Sequence, residues 1–393
     1  MVSDLSYPPA EGLHQQTLLL VRGLKDQGVE VELHGFVKSL RALDEEALYR
    51  EHGIAFASPP SEQPRSLLVS AIRNLFPFSR AAGPLRRRLY NLSQVDVIHF
   101  EGIAACAVST RRLASRSILS FIDPGSRRNF RFFRQADGFL PKVVYFATGF
   151  VYLGVERLLR RGNPIWHVVS DDDRRYLSEI HGFDAVIAIP VSLPAELSGE
   201  EMAKPEDFAG EAQLHRRVDI LVYADLRQQH MRDALKVFAR KVFRSYVGRR
   251  AVEFTILGRV ELNAEFASWF EGLNYKFIAW AEDYLAVLRK ADIVLLPDSV
   301  GTGLKNRAIQ SLAAGVPVVG TSIAMEGLDL RNGIDAFVVD SAEASKVPLQ
   351  KLVADRALRL RIGEAGRSRV IQEFGTKSVV KRWIDTYSEI QNA

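Results

Sequence analysis

Short apolar runs alternate with amphipathic stretches along most of the chain. Runs such as residues 95–100 have the length and composition of buried strands, whereas residues 15–27 and 171–181 repeat their apolar side chains at helical spacing. This alternation is typical of α/β proteins, in which helices cover parallel sheets. In the first half, the predicted strands lie at residues 29–33, 95–100, 117–121, 165–170 and 185–189.

A polar stretch at residues 193–217 interrupts the pattern, which then resumes. At about 150 residues per domain, a chain of 393 residues accommodates two or three domains. We therefore predict two similar α/β domains, 1–192 and 218–376, with 193–217 as a linker and a cleft between them. An apolar stripe of Val380, Trp383, Tyr387 and Ile390 predicts a last helix at 377–393. The resumed apolar runs lie at residues 220–223, 253–257, 293–297 and 316–319, with helical runs at 232–246, 284–290 and 305–314.

Composition narrows the class of protein. With 47% hydrophobic and 25% charged residues, the chain has the balance of an ordinary soluble globular protein. The single cysteine, Cys106, excludes a disulfide framework and a thiolate metal cluster. The longest uncharged apolar run, residues 143–155, is shorter than the roughly 20 residues that span a bilayer. The first residues lack the pattern of a signal peptide, so we expect a cytoplasmic protein.

Positive charge is concentrated in one part of the chain. Residues 64–135 contain thirteen arginines and three acidic residues, although the whole chain carries a net charge of +5. The excess indicates an anionic partner, and the interleaved apolar residues suit a helix on the inner face of an anionic membrane. A solvated helical face with extended arginine stems explains the same pattern. Nucleic acid ranks below both, because aromatic platforms of the RNA-binding type are missing from the sequence.

One segment carries candidate chemistry. Residues 291–297 predict a buried strand, Gly301-Thr302-Gly303-Leu304-Lys305 a loop, and the residues after it a helix that Gly315 ends. Glycines allow close approach of the backbone, and the start of a helix presents N–H groups and a positive dipole end. With the charge of Lys305, these groups would form a cradle for a diphosphate. The alternative is a tight βα turn without a ligand, and the spacing fits neither a P-loop nor a dinucleotide fingerprint.

The segment from 291 to 328 resembles the nucleotide-sugar-binding domain of family 4 glycosyltransferases, in particular bacterial members with a Gly-Thr-Gly-Ile-Lys-Asn pattern. Weaker similarity extends to the first loop at 3–12, to 96–100, and to 220–226. The resemblance implies the GT-B fold, with two Rossmann-like domains whose parallel sheets face a central cleft. It also implies that the helix at 377–393 packs back on the N-terminal domain.

The resemblance further implies a retaining, metal-independent hexosyltransferase that uses a nucleotide diphosphate-sugar as donor. Its acceptor would be a glycan or a lipid-linked glycan in bacterial surface polysaccharide synthesis, and no cofactor is expected. Lys305, Asp123 and Glu326 are the candidate catalytic residues. The candidate residues for binding the donor or lining the cleft are Gly12, Arg227, Gly301, Thr302, Gly303, Lys305 and Gln310.

The sequence departs from the family pattern at several positions. The paired glutamates of the family fall on Thr302 and Gln310, and Gln310 would bind the donor ribose more weakly than a carboxylate. Asp225 stands where many members have an arginine, and Ile122 replaces a frequent histidine. Two alternatives therefore stay open: a nucleotide-sugar-binding protein with altered or lost catalysis, and a nucleotide-sugar epimerase.

Two further groups of residues allow a chemical and a plain structural interpretation. Asp171, Asp172 and Asp173 could be mistaken for a metal-binding Asp-x-Asp motif, but their position after Ser170 favours the start of a helix. His14 and His99 could contact the donor or the acceptor, although such histidines more often make ordinary hydrogen bonds. No cluster in the sequence has metal-ligand spacing, and we predict no metal site.

Overall fold

The computed structural model describes residues 1–5, 12–37, 95–106, 109, 116–136, 138–160, 164–198, 217–259, 264–281 and 283–392. The chain divides into two compact units, Met1–Ser192 with Thr376–Ala393, and Leu193–Gly375. Both contain a parallel sheet, so the predicted α/β class is confirmed. The first residues of the predicted linker are packed in the second unit, where Leu193 and Leu197 are buried and the Leu193 N–H donates to the Phe374 carbonyl.

The first unit contains a six-stranded sheet with the order β2-β1-β3-β4-β5-β6. Its strands are β1 (Val2–Leu5), β2 (His34–Val37), β3 (Ile98–Glu101), β4 (Ser117–Ile122), β5 (Ile165–Val168) and β6 (Val186–Ala188). Its helices before residue 193 are α1 (Gly12–Asp26), α2 (Ile103–Cys106), α3 (Gly125–Gln135), α4 (Phe139–Leu159) and α5 (Asp171–Arg175), which continues as a π-helical turn at Tyr176–Ile180. Both faces of this sheet are apolar, since Leu119 packs on one face with Trp166 and Ile118 packs on the other with Leu20.

The second unit contains a six-stranded sheet with the order β12-β11-β10-β7-β8-β9. Its strands are β7 (Val218–Tyr223), β8 (Val252–Leu257), β9 (Tyr275–Ile278), β10 (Ile293–Leu296), β11 (Val318–Thr321) and β12 (Phe337–Val339). Its helices are α6 (Ala195–Ser198), α7 (Gln229–Lys241), α8 (Ala264–Ser268), α9 (Tyr284–Lys290), α10 (Asn306–Ala313), α11 (Lys346–Ala354) and α12 (Arg356–Phe374). One further helix, α13 (Thr376–Asn392), belongs to the first unit.

Four strands differ from the prediction: β1, β9 and β12 are not among the predicted runs, and β2 begins later than expected. The strand expected at 29–33 begins later, at His34, because the chain first turns at Gly28 (φ +79°) and the Val29 N–H donates to the Leu24 carbonyl. Strand β9 was not predicted, since it lies at the edge of the sheet and exposes Tyr275 and Lys276. An edge strand that is open to solvent lacks the apolar run that marks a buried one.

The order of the strands reverses direction at one point in each sheet. From β1 the chain adds β2 on one side and then β3 on the other, and from β7 it adds β8 and β9 before β10 joins the opposite side. Ligands of open parallel sheets bind beyond the carboxyl ends of the strands at such a reversal. The ends of β1 and β3, and those of β7 and β10, are therefore the positions to search for a site.

Helix α13 packs on α1 in the first unit through its predicted apolar stripe. Val380, Trp383 and Ile390 are buried there, and Tyr387 packs against the same core. The two helices approach closely at Gly23, where an added Cβ would lie 2.5 Å from a methyl group of Val380. Gly23 is thus required by this helix contact.

We predict opposite effects of one substitution at two helical glycines. Gly23→Ala should lower the free energy of unfolding by about 1–3 kcal/mol, because the new methyl group overpacks the contact with Val380. Gly154→Ala, in α4, has open space and should stabilise the protein by about 0.5–1 kcal/mol. Urea unfolding followed by circular dichroism measures both. An equal gain from the two variants would show that α1 and α13 are not in this contact.

Candidate functional site

A glycine loop follows β10 at the reversal point of the second sheet. All four residues of β10 are buried, and the chain leaves the sheet at Leu296. Gly301 (φ +150°) and Gly303 (φ +65°) then take up backbone angles that residues other than glycine rarely adopt. The loop thereby returns to the sheet edge and enters α10 at Asn306. Strand, loop and helix are as predicted.

Lys305 holds this loop in place. It occupies the N-cap position of α10, and its ammonium Nζ donates to the carbonyls of Thr302 (2.8 Å) and Gly303 (2.6 Å). A Cβ on Gly301 would lie 3.0 Å from Lys305 Cε, so the glycine makes room for the lysine stem. We predicted a lysine directed at a ligand. In this structure the ammonium is hydrogen-bonded to carbonyls of its own loop, and its role toward a ligand stays a prediction.

Asp298 connects the loop to its neighbours. Its side chain is almost fully buried and accepts a 2.5 Å hydrogen bond from Arg307 in the first turn of α10. Its carbonyl accepts a hydrogen bond from Thr321 Oγ1, at the end of β11. Asp298 Oδ2 and Arg307 Nε are buried and have no hydrogen-bond partner among the residues that the structure describes. The pair therefore has unused hydrogen-bonding capacity next to the loop.

Polar groups from α7 and β7 lie near this ion pair. Burial lowers the pKa of half-buried His230, while the charges of Asp298 and Asp225 raise it and that of Arg307 lowers it. Burial raises the pKa of Tyr223, at the end of β7, and Arg307 partly offsets this shift. The sequence interpretation identified none of Asp298, His230 and Arg307 as a site residue. Asp298 and Arg307 flank the glycine loop, which is the signal that could have identified them.

The other predicted site residues of the second unit, Gln310, Glu326 and Arg227, lie in three different segments. Gln310 lies one turn into α10 and is 8% exposed, so little of its surface is available to a ligand. Glu326 lies in the turn after β11, and a Cβ added to Gly301 would lie 3.9 Å from Cγ2 of Ile323 in that turn. Arg227 binds Asp225 with two hydrogen bonds, of 2.8 and 2.9 Å, and thereby lowers the pKa of Asp225 to about 2.

A cavity of about 850 Å³ opens beside the ends of β7, β8 and β9. Arg227 contributes to its wall, and the guanidinium of Arg259 stacks on Trp280, 3.8 Å from the ring centroid. The indole is 67% exposed. An exposed ring beside several cations suits a planar or anionic ligand. No pattern in the sequence indicated this pocket, because its residues come from four separate segments.

Asp123 and Gly12, the predicted residues of the first domain, belong to the first unit. Asp123 directly follows β4, where Ile122 adopts a left-handed backbone angle (φ +66°), and its carboxylate lies 3.6 Å from Arg128. Gly12 is the first residue of α1, and the rest of the predicted first loop, residues 6–11, lies outside the described residues. A left-handed β-branched residue is strained, and such strain is common at functional sites.

Glu156 anchors the segment that carries Asp123. This buried carboxylate accepts hydrogen bonds from the N–H (3.0 Å) and the hydroxyl (2.6 Å) of Ser126, at the start of α3. Tyr176 lies 3.0 Å from the same hydroxyl. Burial raises the pKa of Glu156 to about 7, against the opposing effect of these hydrogen bonds. No feature of the sequence marked this residue.

The three consecutive aspartates begin a helix, so the capping interpretation is confirmed. Ser170 is the N-cap of α5, its hydroxyl accepts from the Asp173 N–H, and the buried Asp173 pairs with Arg127. Asp171 and Asp172 pair with arginines one turn along the helix. Within the described ranges, no group of three or more His, Cys, Asp or Glu side chains is arranged to hold a metal ion.

His99 makes an ordinary hydrogen bond to the last helix. It is 2% exposed, and its Nδ1 lies 2.8 Å from the Tyr387 hydroxyl on α13. Its Nε2 lies 2.9 Å from Glu101 but does not have the geometry of a hydrogen bond to it. The histidine therefore ties β3 to the last helix. His14 lies in the first turns of α1.

Comparison with known proteins finds similarity to glycosyltransferases within the second unit. Residues 217–355 match the family model described as "Glycosyl transferases group 1". A segment of 111 residues is 27% identical to the lipopolysaccharide core biosynthesis glycosyltransferase LpsE of Rhizobium meliloti (strain 1021). That segment is 28% of this chain and 32% of LpsE, so the match spans about a third of the relative.

Solved structures resemble the whole chain in fold. HepE of Anabaena, in complex with UDP and glucose, superposes with a TM-score of 0.69 at 12% identity, over 99% of this chain and 98% of HepE. WaaG, a glycosyltransferase involved in lipopolysaccharide biosynthesis, gives a TM-score of 0.67 at 12% identity, over 99% of this chain and 100% of WaaG. A glycosyltransferase of Rickettsia africae gives 0.67 at 16% identity, with coverages of 99% and 98%. The expected GT-B fold is thus confirmed.

We predict that Glu156 makes stability depend on pH. Its pKa in the folded protein, about 7, lies above its ordinary value of 4.5. Between these values the folded protein keeps a proton that the unfolded chain has lost, so stability falls by about 3 kcal/mol as the pH rises through this window. Glu156→Gln should remove this pH dependence of stability. The control variant Glu179→Gln, at an exposed position, should keep the pH dependence of the wild type. Urea unfolding at pH 5 and pH 7.5 measures the difference, and parallel profiles of wild type and Glu156→Gln would contradict the prediction.

Proposed function

We propose that this protein is a retaining glycosyltransferase that moves a hexose from a nucleotide diphosphate-sugar to a glycan or lipid-linked glycan of the bacterial surface. One observation carries the proposal: a glycine loop and a helix start lie at the reversal point of a sheet within the segment that matches group 1 glycosyl transferases. The names of LpsE and WaaG support an acceptor of the lipopolysaccharide type. The UDP and glucose bound to HepE support a nucleotide-sugar donor.

The donor diphosphate would bind at the glycine loop. The backbone N–H groups at the start of α10 and the ammonium of Lys305 are the positive groups there, and Lys305 would exchange loop carbonyls for phosphate oxygens. The same charge would stabilise the departing nucleotide as the bond to the sugar breaks. For this reason we propose a reaction that needs no metal ion. Gln310 would contact the ribose through the small part of its own side chain that is exposed.

Glu326 and Asp123 would serve the sugar and the acceptor. Glu326 lies in the turn beside the glycine loop, near the position proposed for the diphosphate. Asp123, on the strained end of β4, would bind an acceptor hydroxyl together with the backbone at Gly12. Arg227, already paired with Asp225, would line the donor side.

A thermal-shift screen of nucleotide diphosphates and their sugars tests the proposal directly. A ligand at 100 times its Kd stabilises the folded protein by about 2.7 kcal/mol, so a cognate donor raises the midpoint of unfolding. Transfer to a deacylated or lipid-linked glycan is then assayed with that donor. Stabilisation without transfer would identify a binding protein, and conversion of the donor sugar without acceptor would identify an epimerase.

We predict that Lys305→Ala lowers kcat/KM for sugar transfer by about 10²-fold and abolishes the thermal shift caused by the donor nucleotide. The loss follows from removing the ammonium that would face the diphosphate. Lys351→Ala removes an exposed lysine from α11 of the same unit and serves as the control. Unchanged donor affinity and transfer in Lys305→Ala would show that the lysine only holds the loop.

A further inference from the structure

Helices α3 and α4 form an antiparallel hairpin held together by aromatic side chains. Phe130 stacks edge-on against Phe150, and Phe133 packs against Phe146. The helices approach closely at Gly149, where an added Cβ would lie 2.7 Å from the ring of Phe130. The two helices are therefore packed against each other where Phe130 and Phe133 meet residues 146–150.

The outer end of this hairpin is apolar and exposed. Phe139 is 84% exposed, Leu140 73% and Val144 53%, and Phe150 is 53% exposed two turns further on. From Phe139 to Phe150 the helix covers about 16 Å, at 1.5 Å per residue. A continuous apolar surface of this kind marks a contact with a membrane or another protein.

Positive charge borders the apolar end. Arg134, at the end of α3, and Lys142, in the first turns of α4, are both exposed. Asp137 is the one acidic residue in the sequence from 124 to 155, which holds five basic residues. Two of those five, Arg127 and Arg128, lie toward Asp173 and Asp123 at the other end of α3. The charge at the apolar end therefore complements an anionic surface.

We propose that the α3–α4 hairpin inserts its outer end into the headgroup layer of an anionic lipid bilayer. Bulky apolar residues beside exposed cations are the composition of helices that lie in a membrane interface. The exposed length of about 16 Å is well short of the roughly 30 Å of a hydrocarbon core, so the hairpin end can contact only one face of a bilayer. Among the helices in the described ranges, none is long and apolar enough to cross a bilayer. The inference concerns lipid binding and holds whatever sugar the protein transfers.

Vesicle flotation tests the inference on the full chain, with vesicles of phosphatidylcholine alone and of phosphatidylcholine mixed with phosphatidylglycerol. The wild type should float with the mixed vesicles and bind them less at high salt. Leu140→Asp combined with Val144→Asp should lower the partition coefficient at least tenfold. Arg134→Ala combined with Lys142→Ala should lower it about 25-fold, since each cation near the surface contributes about fivefold.

The control variant is Val347→Asp, which places the same charge at an exposed apolar position of α11 and should bind like wild type. Unchanged circular dichroism of all variants shows that they are folded. Failure of the wild type to bind either kind of vesicle overturns the inference, as does equal binding by Leu140→Asp/Val144→Asp and Val347→Asp. Sedimentation velocity tests whether a second copy of the chain covers this surface instead of a membrane. A dimeric wild type and a monomeric Leu140→Asp/Val144→Asp variant would assign the surface to a second copy and overturn the inference.

Discussion

Asp298 fixes the geometry of the glycine loop because its main chain and side chain bind different partners. The carbonyl binds Thr321 at the end of β11, and the carboxylate binds Arg307 in α10. Asp298, two residues after β10, thus attaches the start of the loop both to β11 and to the helix that follows the loop. A buried ion pair is costly to break, since removing one partner leaves a buried charge. The loop can therefore keep two glycines in unusual backbone conformations without losing its place at the sheet edge.

Much of the fold could be predicted because buried parallel strands leave continuous apolar runs. β4, β8 and β10 are of this kind, and the predicted runs coincide with them closely. β9 could not be found, because an exposed edge strand has no such run. The start of β2 depends on how Gly28 turns the chain after α1, which is a tertiary detail.

The candidate site was partly predictable for a related reason. The glycine loop is local in sequence, so its residues and the helix that follows could be recognised. The direction of the Lys305 side chain could not, because carbonyls of the same loop compete for its ammonium. Glu156 and His230 act through contacts with distant segments, and neither lies in a pattern. Part of the basic character of the sequence also has an internal explanation, since Arg127 and Arg128 face acidic side chains of their own unit.

The first unit is built from both ends of the chain, and this arrangement constrains its biosynthesis. Helix α13 supplies Val380, Trp383 and Ile390 to a core whose other residues precede Ser192, so the sheet lacks its last covering helix until the whole second unit has been made. At ribosomal speeds of about 5–20 residues per second, that interval is on the order of ten to forty seconds. During it, the nascent first unit exposes the apolar surface around Leu20 and Leu24. Chaperones that bind such surfaces would therefore meet this protein while its N-terminal half waits for its C-terminus.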